Sequence, residues 1–306
     1  MSDYDIRDDR FRRVIIGHAR LEKLWSGARW VEGPVYVPAA RHLLFSDIPN
    51  DRVLRYCEDN GSVSVFQTPV GYHNGHTLDA KGRVIACEHG GRRISRLEHD
   101  GNWRALATHF EGKRFNSPND VVVKSDRTIW FTDPTYGIDG AYEGGHAVSE
   151  IGASNVYRLD PSTGDVTAII TDRVRPNGLA FSPDESLLYV SDTGKSHVPG
   201  TPPAIHAYDV SDGGRAVTYR DVFSVCDAHL YDGFRVDWKG NIWSSTGDSV
   251  HCYGPDGKLL GRIPIPEIVS NVAFGGPKRN RLYITAQTSL YAIFLNTLPA
   301  GWAPPA

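Results

Sequence analysis

Six short phrases of the chain open on a side chain that offers oxygen: Glu32 before Gly33, Asn74 before Gly75, Asn119 in SPND, Asn177 before Gly178, Asp232 before Gly233, and Ser270 before Asn271. Two carboxylates, three amides and a hydroxyl make a donor set without thiolate or imidazole. Such a set suits a hard cation, calcium or magnesium, better than copper or another soft metal. Two negative charges match one divalent ion, which would offset their mutual repulsion and the cost of burying both. Taken singly, Asn-Gly and Asp-Gly are common turn dipeptides. A turn gives no reason for a glutamate in that place, so the six openings need a common cause.

That cause is a repeat. WVEGPVYVPAARHLLFSD from Trp30, HNGHTLDAKGRVIACE from His73, SPNDVVVKSDRTIWFTD from Ser117, PNGLAFSPDESLLYVSD from Pro176, YDGFRVDWKGNIWSS from Tyr231 and SNVAFGGPKRNRLYIT from Ser270 each place two strand-like runs around a turn. Between them lie further pairs, such as RRISRLEHDGNWRALA and SNVYRLDPSTGDVTAII, hinged on D-G or D-x-x-G turns. The openings are 42, 45, 58, 55 and 38 residues apart, around the ~40–50 residues of a propeller blade. The spacing predicts an all-β fold, a six-bladed β-propeller of four-stranded antiparallel blades. An open ring would expose unpaired backbone, so residues 19–25 are expected to complete the blade that begins at Ser270. Residues 1–18 are then an N-terminal extension to a propeller domain over 19–306. A double β-sandwich has no reason to repeat one phrase six times, and no window holds a helical period.

In a propeller the first strand of each blade runs along the central channel, so the six openings converge on one axis. Loops from the second to the third strand open on the same face. They carry Asp47, Asn50, Glu88, His89, Asp133, Tyr136, Asp192, Lys195 and Asp248, a polar rim suited to a hydroxylated ligand. His76 alternates back to the side of Asn74 and is expected to face the channel as well.

Composition narrows the function. Glycine (31), proline (19), tyrosine (14) and tryptophan (7) are plentiful while methionine occurs once, a balance that suits short strands and tight turns. The net charge is −3 with no basic block, which removes the electrostatic case for nucleic acid. No segment approaches a membrane span, and the N-terminus is too charged for a signal peptide. The chain reads as cytoplasmic; a periplasmic location would need a leader already removed. Cys57, Cys87, Cys226 and Cys252 form no CxxC pair and read as ordinary thiols. There is no G-x-S-x-G elbow for a serine hydrolase. A non-enzymatic scaffold would call for an apolar face and an axis without oxygen ligands.

The series WVEGPVY, SPNDVVV with WFTDPTYG, RPNGLAFSPDESLLYVSD and DGFRVDWKGNIW, in that order within residues 21–294, resembles the SMP-30/gluconolactonase/luciferin-regenerating family of six-bladed propellers. The resemblance implies one divalent cation, commonly calcium, with magnesium, manganese or zinc as alternatives, held by Glu32, Asn119, Asn177 and Asp232. Asn74 and Ser270 match positions outside the usual ligand set. They join His76, Glu88, Asp133 and Tyr136 as candidate substrate-binding residues. Members of the family hydrolyse sugar lactones, other lactones or organophosphates. ACEHGGRR and WFTDPTYG look most like the bacterial gluconolactonase branch, and Ser117 stands where the animal branch has arginine. The expected reaction is metal-assisted opening of a sugar lactone to the aldonic acid, the cation polarising the carbonyl and Asp232 serving as general base. His76 is a second candidate base. Phosphotriester hydrolysis at the same metal is the alternative reaction.

Overall fold

A computed structural model describes residues 4–302. Six blades of four antiparallel strands follow one another along the chain. Blade I comprises Val31–Val37, His42–Asp47, Arg52–Cys57 and Val63–Gln67. Blade II comprises His73–Leu78, Val84–Glu88, Arg93–Leu97 and Trp103–Ala107. Blade III comprises Val121–Val123, Ile129–Asp133, Asn155–Leu159 and Val166–Ile170. Blade IV comprises Pro176–Phe181, Leu187–Asp192, Ala204–Ser211 and Ala216–Val225. Blade V comprises Phe234–Val236, Ile242–Ser245, Ser249–Tyr253 and Leu259–Pro264. Blade VI comprises Val269–Gly275, Arg281–Ala286 and Ser289–Phe294, and Glu22–Ser26 pairs with the last of these as the outer strand. Each innermost strand packs against those of the two neighbouring blades, I against II and VI included, so the ring is a closed six-bladed β-propeller. The expected N-terminal closure by residues 19–25 is found over Glu22–Ser26.

Each of the six blade interfaces has its own apolar cluster. Leu188 and Val190 face Trp130 and Val156 of blade III, while Tyr189 between them faces Phe234 and Ile242 of blade V. Alternating side chains of one strand thus serve two interfaces, as a period of two residues requires. With both faces covered, the second strands read as continuous apolar runs.

The N-terminal extension is part of this packing. Asp5–Ile6 adds a fifth strand to blade V by pairing with Arg262 and Gly261. Phe11 is fully buried in the cluster between blades V and VI, against Trp243. Gly261 has to be glycine here, because a Cβ would overlap the Phe11 ring. The four cysteines are free, three of them buried. No helix among the described residues is long and apolar enough to cross a membrane.

Candidate functional site

Wherever an inner strand begins, its main chain is used to join blades. Ser46 Oγ of blade I donates to Asn74 O (2.8 Å), Thr132 Oγ1 of blade III to Asn177 O (2.7 Å), and Ser191 Oγ of blade IV to Asp232 O (2.9 Å). Gly75 N donates to Asn119 O and Gly233 N to Ser270 O, both at 2.8 Å. The glycines that follow the openings are therefore not turn formers. A Cβ on Gly33 would strike the Asn74 carbonyl, one on Gly178 the Asp232 carbonyl, and one on Gly233 the Asn271 side chain. Strands this close at the axis leave no room for a side chain between them. Register breaks at the same place, between Glu32 and Val35, His73 and His76, and Pro176 and Leu179. A bulge at a strand opening re-aims its side chain. With the carbonyls committed to the neighbouring blade, what remains for the axis is the side chain.

Glu32, Asn74, Asn119, Asn177 and Asp232 consequently line one cavity of ≈180 Å³ at the mouth of the channel. Glu32, Asn74, Asn119 and Asn177 are buried, Glu32 being 4% exposed, and Asp232 is half-buried. Burial, and then the charge of Asp120, raise Glu32 above the ordinary carboxylate range, against bonds from Asn271 and Gly33 N. Burial also raises Asp232, followed by the charges of Glu32, Glu143 and Asp120. The charge of Arg235 lowers Glu32 in turn, and its Nη1 reaches Asp120 at 3.3 Å. Asn271 Nδ2 donates to Glu32 Oε2 (2.9 Å) while its Oδ1 accepts from Val272 N (2.9 Å), which fixes the Glu32 carboxylate toward the cavity. The site is an excess of oxygen acceptors without a matching positive charge.

The remaining cavity wall comes from loops. The 134–154 segment between the second and third strands of blade III carries a short helix, Tyr136–Asp139, and folds over the mouth. Tyr136 OH bonds Thr193 Oγ1 and Ser196 Oγ, both at 2.8 Å; the Arg175 guanidinium lies 4.7 Å over its ring and binds Asp139 at 2.7 Å. Ser117 anchors the root of the segment, donating to Pro134 O (2.6 Å) and accepting from Gly137 N (2.9 Å). These ties deliver Glu143 to the cavity, where burial pushes its carboxyl up to about 7. His229 joins the wall from the loop before Asp232, exposed and in the left-handed region at φ 81°.

Of the candidate metal ligands and substrate-binding residues, Glu32, Asn119, Asn177, Asp232, Asn74 and Tyr136 line this cavity and the other four do not. His76 is buried, with Nδ1 on Gly33 O (2.8 Å) and Nε2 on His73 (3.3 Å), and lines the cavity at the opposite end of the channel with Tyr36 and Trp302. The bulge after His73 breaks the alternation that placed it beside Asn74. Burial pushes its imidazole down to about 3. Glu88 is held by Arg93 Nε (2.7 Å) and borders an outer groove. Asp133 accepts from Asn116 N and Ser117 N, both at 2.8 Å, in the blade wall. Ser270 donates to Val31 O (2.6 Å), closing the ring between blades VI and I. Glu143, His229, Thr193 and Ser196 were outside the expected set because they lie beyond the repeat. The one sequence signal for the first is the 58-residue interval from Asn119 to Asn177, which is the insertion itself.

Among the described residues no three His, Cys, Asp or Glu side chains are placed to hold a metal. The donor set of this cavity is different in kind, two carboxylates of raised proton affinity with three amide side chains beside them. That chemistry fits a hard cation.

Comparison with known proteins agrees with this geometry. Residues 30–288 match the model of the SMP-30/Gluconolactonase/LRE-like region. A gluconolactonase of Zymomonas mobilis is 31% identical over 90% of this chain and 82% of its own. A pentonolactonase of Haloferax volcanii is 33% identical over 85% and 82%. The solved structure of a Xanthomonas campestris gluconolactonase superposes with a TM-score of 0.89 at 40% identity, covering 95% of this chain and 94% of that one. A closed six-bladed ring with its acidic openings gathered at one mouth, matched over most of its length at these identities, belongs to the SMP-30/gluconolactonase/LRE-like family.

Proposed function

We propose that this protein is a lactonase that opens a sugar lactone to its aldonic acid with the help of one divalent cation. The observation that carries this reading is the convergence of Glu32, Asn119, Asn177 and Asp232 on one small, acceptor-rich cavity, supported by the lactonase names of the relatives. These four residues would hold the cation, calcium being the first choice for an all-oxygen set. Bound there, it supplies Lewis-acid polarisation of a carbonyl and neutralises the paired carboxylates.

The chain's own residues do the rest. Asp232 takes a proton from the attacking water as the water oxygen bonds to the lactone carbonyl carbon. It returns that proton to the ring oxygen as the acyl C–O bond breaks. The product leaves as a hydroxy acid, which ionises and releases one proton to solvent. Asn271 keeps Glu32 in place, and the hydroxyls of Tyr136, Thr193 and Ser196 with the Asn74 amide form a wall for a polyhydroxylated ring.

Acid release from gluconolactone, a pentonolactone and a phosphotriester, before and after chelation, tests the proposal. Turnover of the sugar lactones should disappear on chelation and return with calcium, magnesium, manganese or zinc. Turnover indifferent to chelation would remove the cation, and preference for the phosphotriester would replace the substrate class.

A further inference from the structure

Asn74 is 4% exposed, lines the cavity, and its Oδ1 has no hydrogen-bond partner within the protein. A buried amide oxygen left unpaired is costly, so its retention points to a partner brought in from outside. Which end of an amide faces a cavity depends on what holds the other end. Here the holder is His89, which is fully buried and lies behind Asn74, outside the cavity wall.

The polarity of the contact is set on the far side of the imidazole ring. His89 Nδ1 lies 3.1 Å from the main-chain oxygen of Glu143. A carbonyl can only accept, so the hydrogen is on Nδ1. Burial pushes the His89 imidazole down to about 4, so the ring is neutral near pH 7 and Nε2 is a bare acceptor. The Asn74 Nδ2 contact with Nε2 at 3.1 Å is then an N–H donated to the ring. With its nitrogen turned to His89, the amide presents its oxygen to the cavity. The 134–154 insertion thus sets the polarity of the Asn74 side chain through His89. Gly137 leaves room for the ring, since a Cβ there would overlap His89.

We propose that His89 is a positioning residue that holds the Asn74 amide with Oδ1 toward the cavity, where it accepts a hydrogen bond from a ring hydroxyl of the substrate. The hydroxyl follows from the company Oδ1 keeps. No donor of the protein reaches Oδ1, so the donor comes with the ligand, and a sugar lactone carries several. This last step rests on the lactonase reading, whereas the His89–Asn74 contact does not.

Two measurements test the proposal. Long-range ¹H–¹⁵N correlation of the histidine rings in wild-type protein, with His89 assigned from His89→Gln, should show the Nδ1-protonated neutral tautomer. An Nε2-protonated ring would overturn the contact as described. In kinetics, His89→Leu should lower kcat/KM about tenfold more for gluconolactone than for δ-valerolactone, which has no ring hydroxyls. Asn74→Leu should show the same difference, and the double variant should add nothing to it. His89→Gln, which supplies an amide oxygen as acceptor, should recover most of the loss. Equal losses on both lactones in His89→Leu would overturn the positioning role while leaving the lactonase reading intact. Failure of wild-type protein to turn over any sugar lactone would remove the hydroxyl partner together with that reading, and the tautomer would still decide the contact.

Discussion

Two sets of buried acids recur around this ring, and they do opposite work. One stands at the openings of inner strands, Glu32 and Asp232. The other stands at the ends of second strands, Asp47, Asp133 and Asp192. Burial raises Asp133 to about 7, and it raises Asp232 too, so proton affinity does not tell the sets apart. Donors do. Asp192 accepts from Val174 N, Arg175 N and Gly194 N, each at 2.9 Å. Asp47 accepts from Arg29 N (3.0 Å), Asn50 Nδ2 (2.7 Å) and Arg52 Nε (2.8 Å). These second-strand acids staple the loop that leads into the inner strand, and both oxygens of each are taken, whereas the donors to Glu32 fall on Oε2 alone. The opening acids face a cavity and one another. A buried carboxylate therefore marks a site when its acceptors are left over, not merely because it is buried.

Asp232→Asn should separate the sets most sharply. It removes the base and one of two like charges while keeping the shape, so lactone kcat/KM should fall about 10³-fold. The melting temperature in chelator should stay level or rise, because a buried like charge is gone. Turnover near the wild-type value would take Asp232 out of the chemistry, and a steep loss of stability would make it a staple like Asp192.

Asp192→Ala should give the reverse pattern. Three backbone N–H groups lose their acceptor, at about 1 kcal/mol or more each, so urea unfolding should show a loss of about 3 kcal/mol. Turnover per folded molecule should fall far less than in Asp232→Asn. If stability hardly changes, water replaces the carboxylate at those donors and the stapling account fails.

What the sequence discloses follows the same division. The openings are legible because the ring repeats them, and closure by an N-terminal strand is legible because edges must be covered. The fate of a strand-end acid is not. Glu88 and Asp133 read as rim residues, since nothing in the local sequence says that Arg93 or two backbone N–H groups will bind them. His76 is misread because alternation counts residues and a bulge adds one. Glu143 and His229 come from loops, where there is no period to read. The extension is silent for another reason: Phe11 needs the space left by Gly261, and a pairing across 250 residues leaves no local mark.

Glu267 offers the smallest effect and the cleanest sign. It sits just before the inner strand of blade VI and latches the closing strand. Its Oε1 takes Ser289 Oγ (2.6 Å), Tyr291 OH (2.6 Å) and Lys23 Nζ (3.1 Å), and its Oε2 takes Thr288 N (3.0 Å) and Oγ1 (2.8 Å). Burial alone would raise its proton affinity, but the bonds from Ser289, Tyr291 and Thr288 outweigh it and hold the carboxyl at about 2, below the 4.5 of a free glutamate. A folded value below the unfolded one contributes stability at pH above 4.5, and that contribution drains away as pH falls toward 2. Glu267→Gln should therefore cost about 1–2 kcal/mol at pH 7. The difference from wild type should narrow through the window from 4.5 to 2 in denaturant titrations at fixed salt. A constant gap across that window would mean that shape alone holds the ring shut. A narrowing one makes Glu267 an acid staple of the same kind as Asp192, placed where the two ends of the propeller meet.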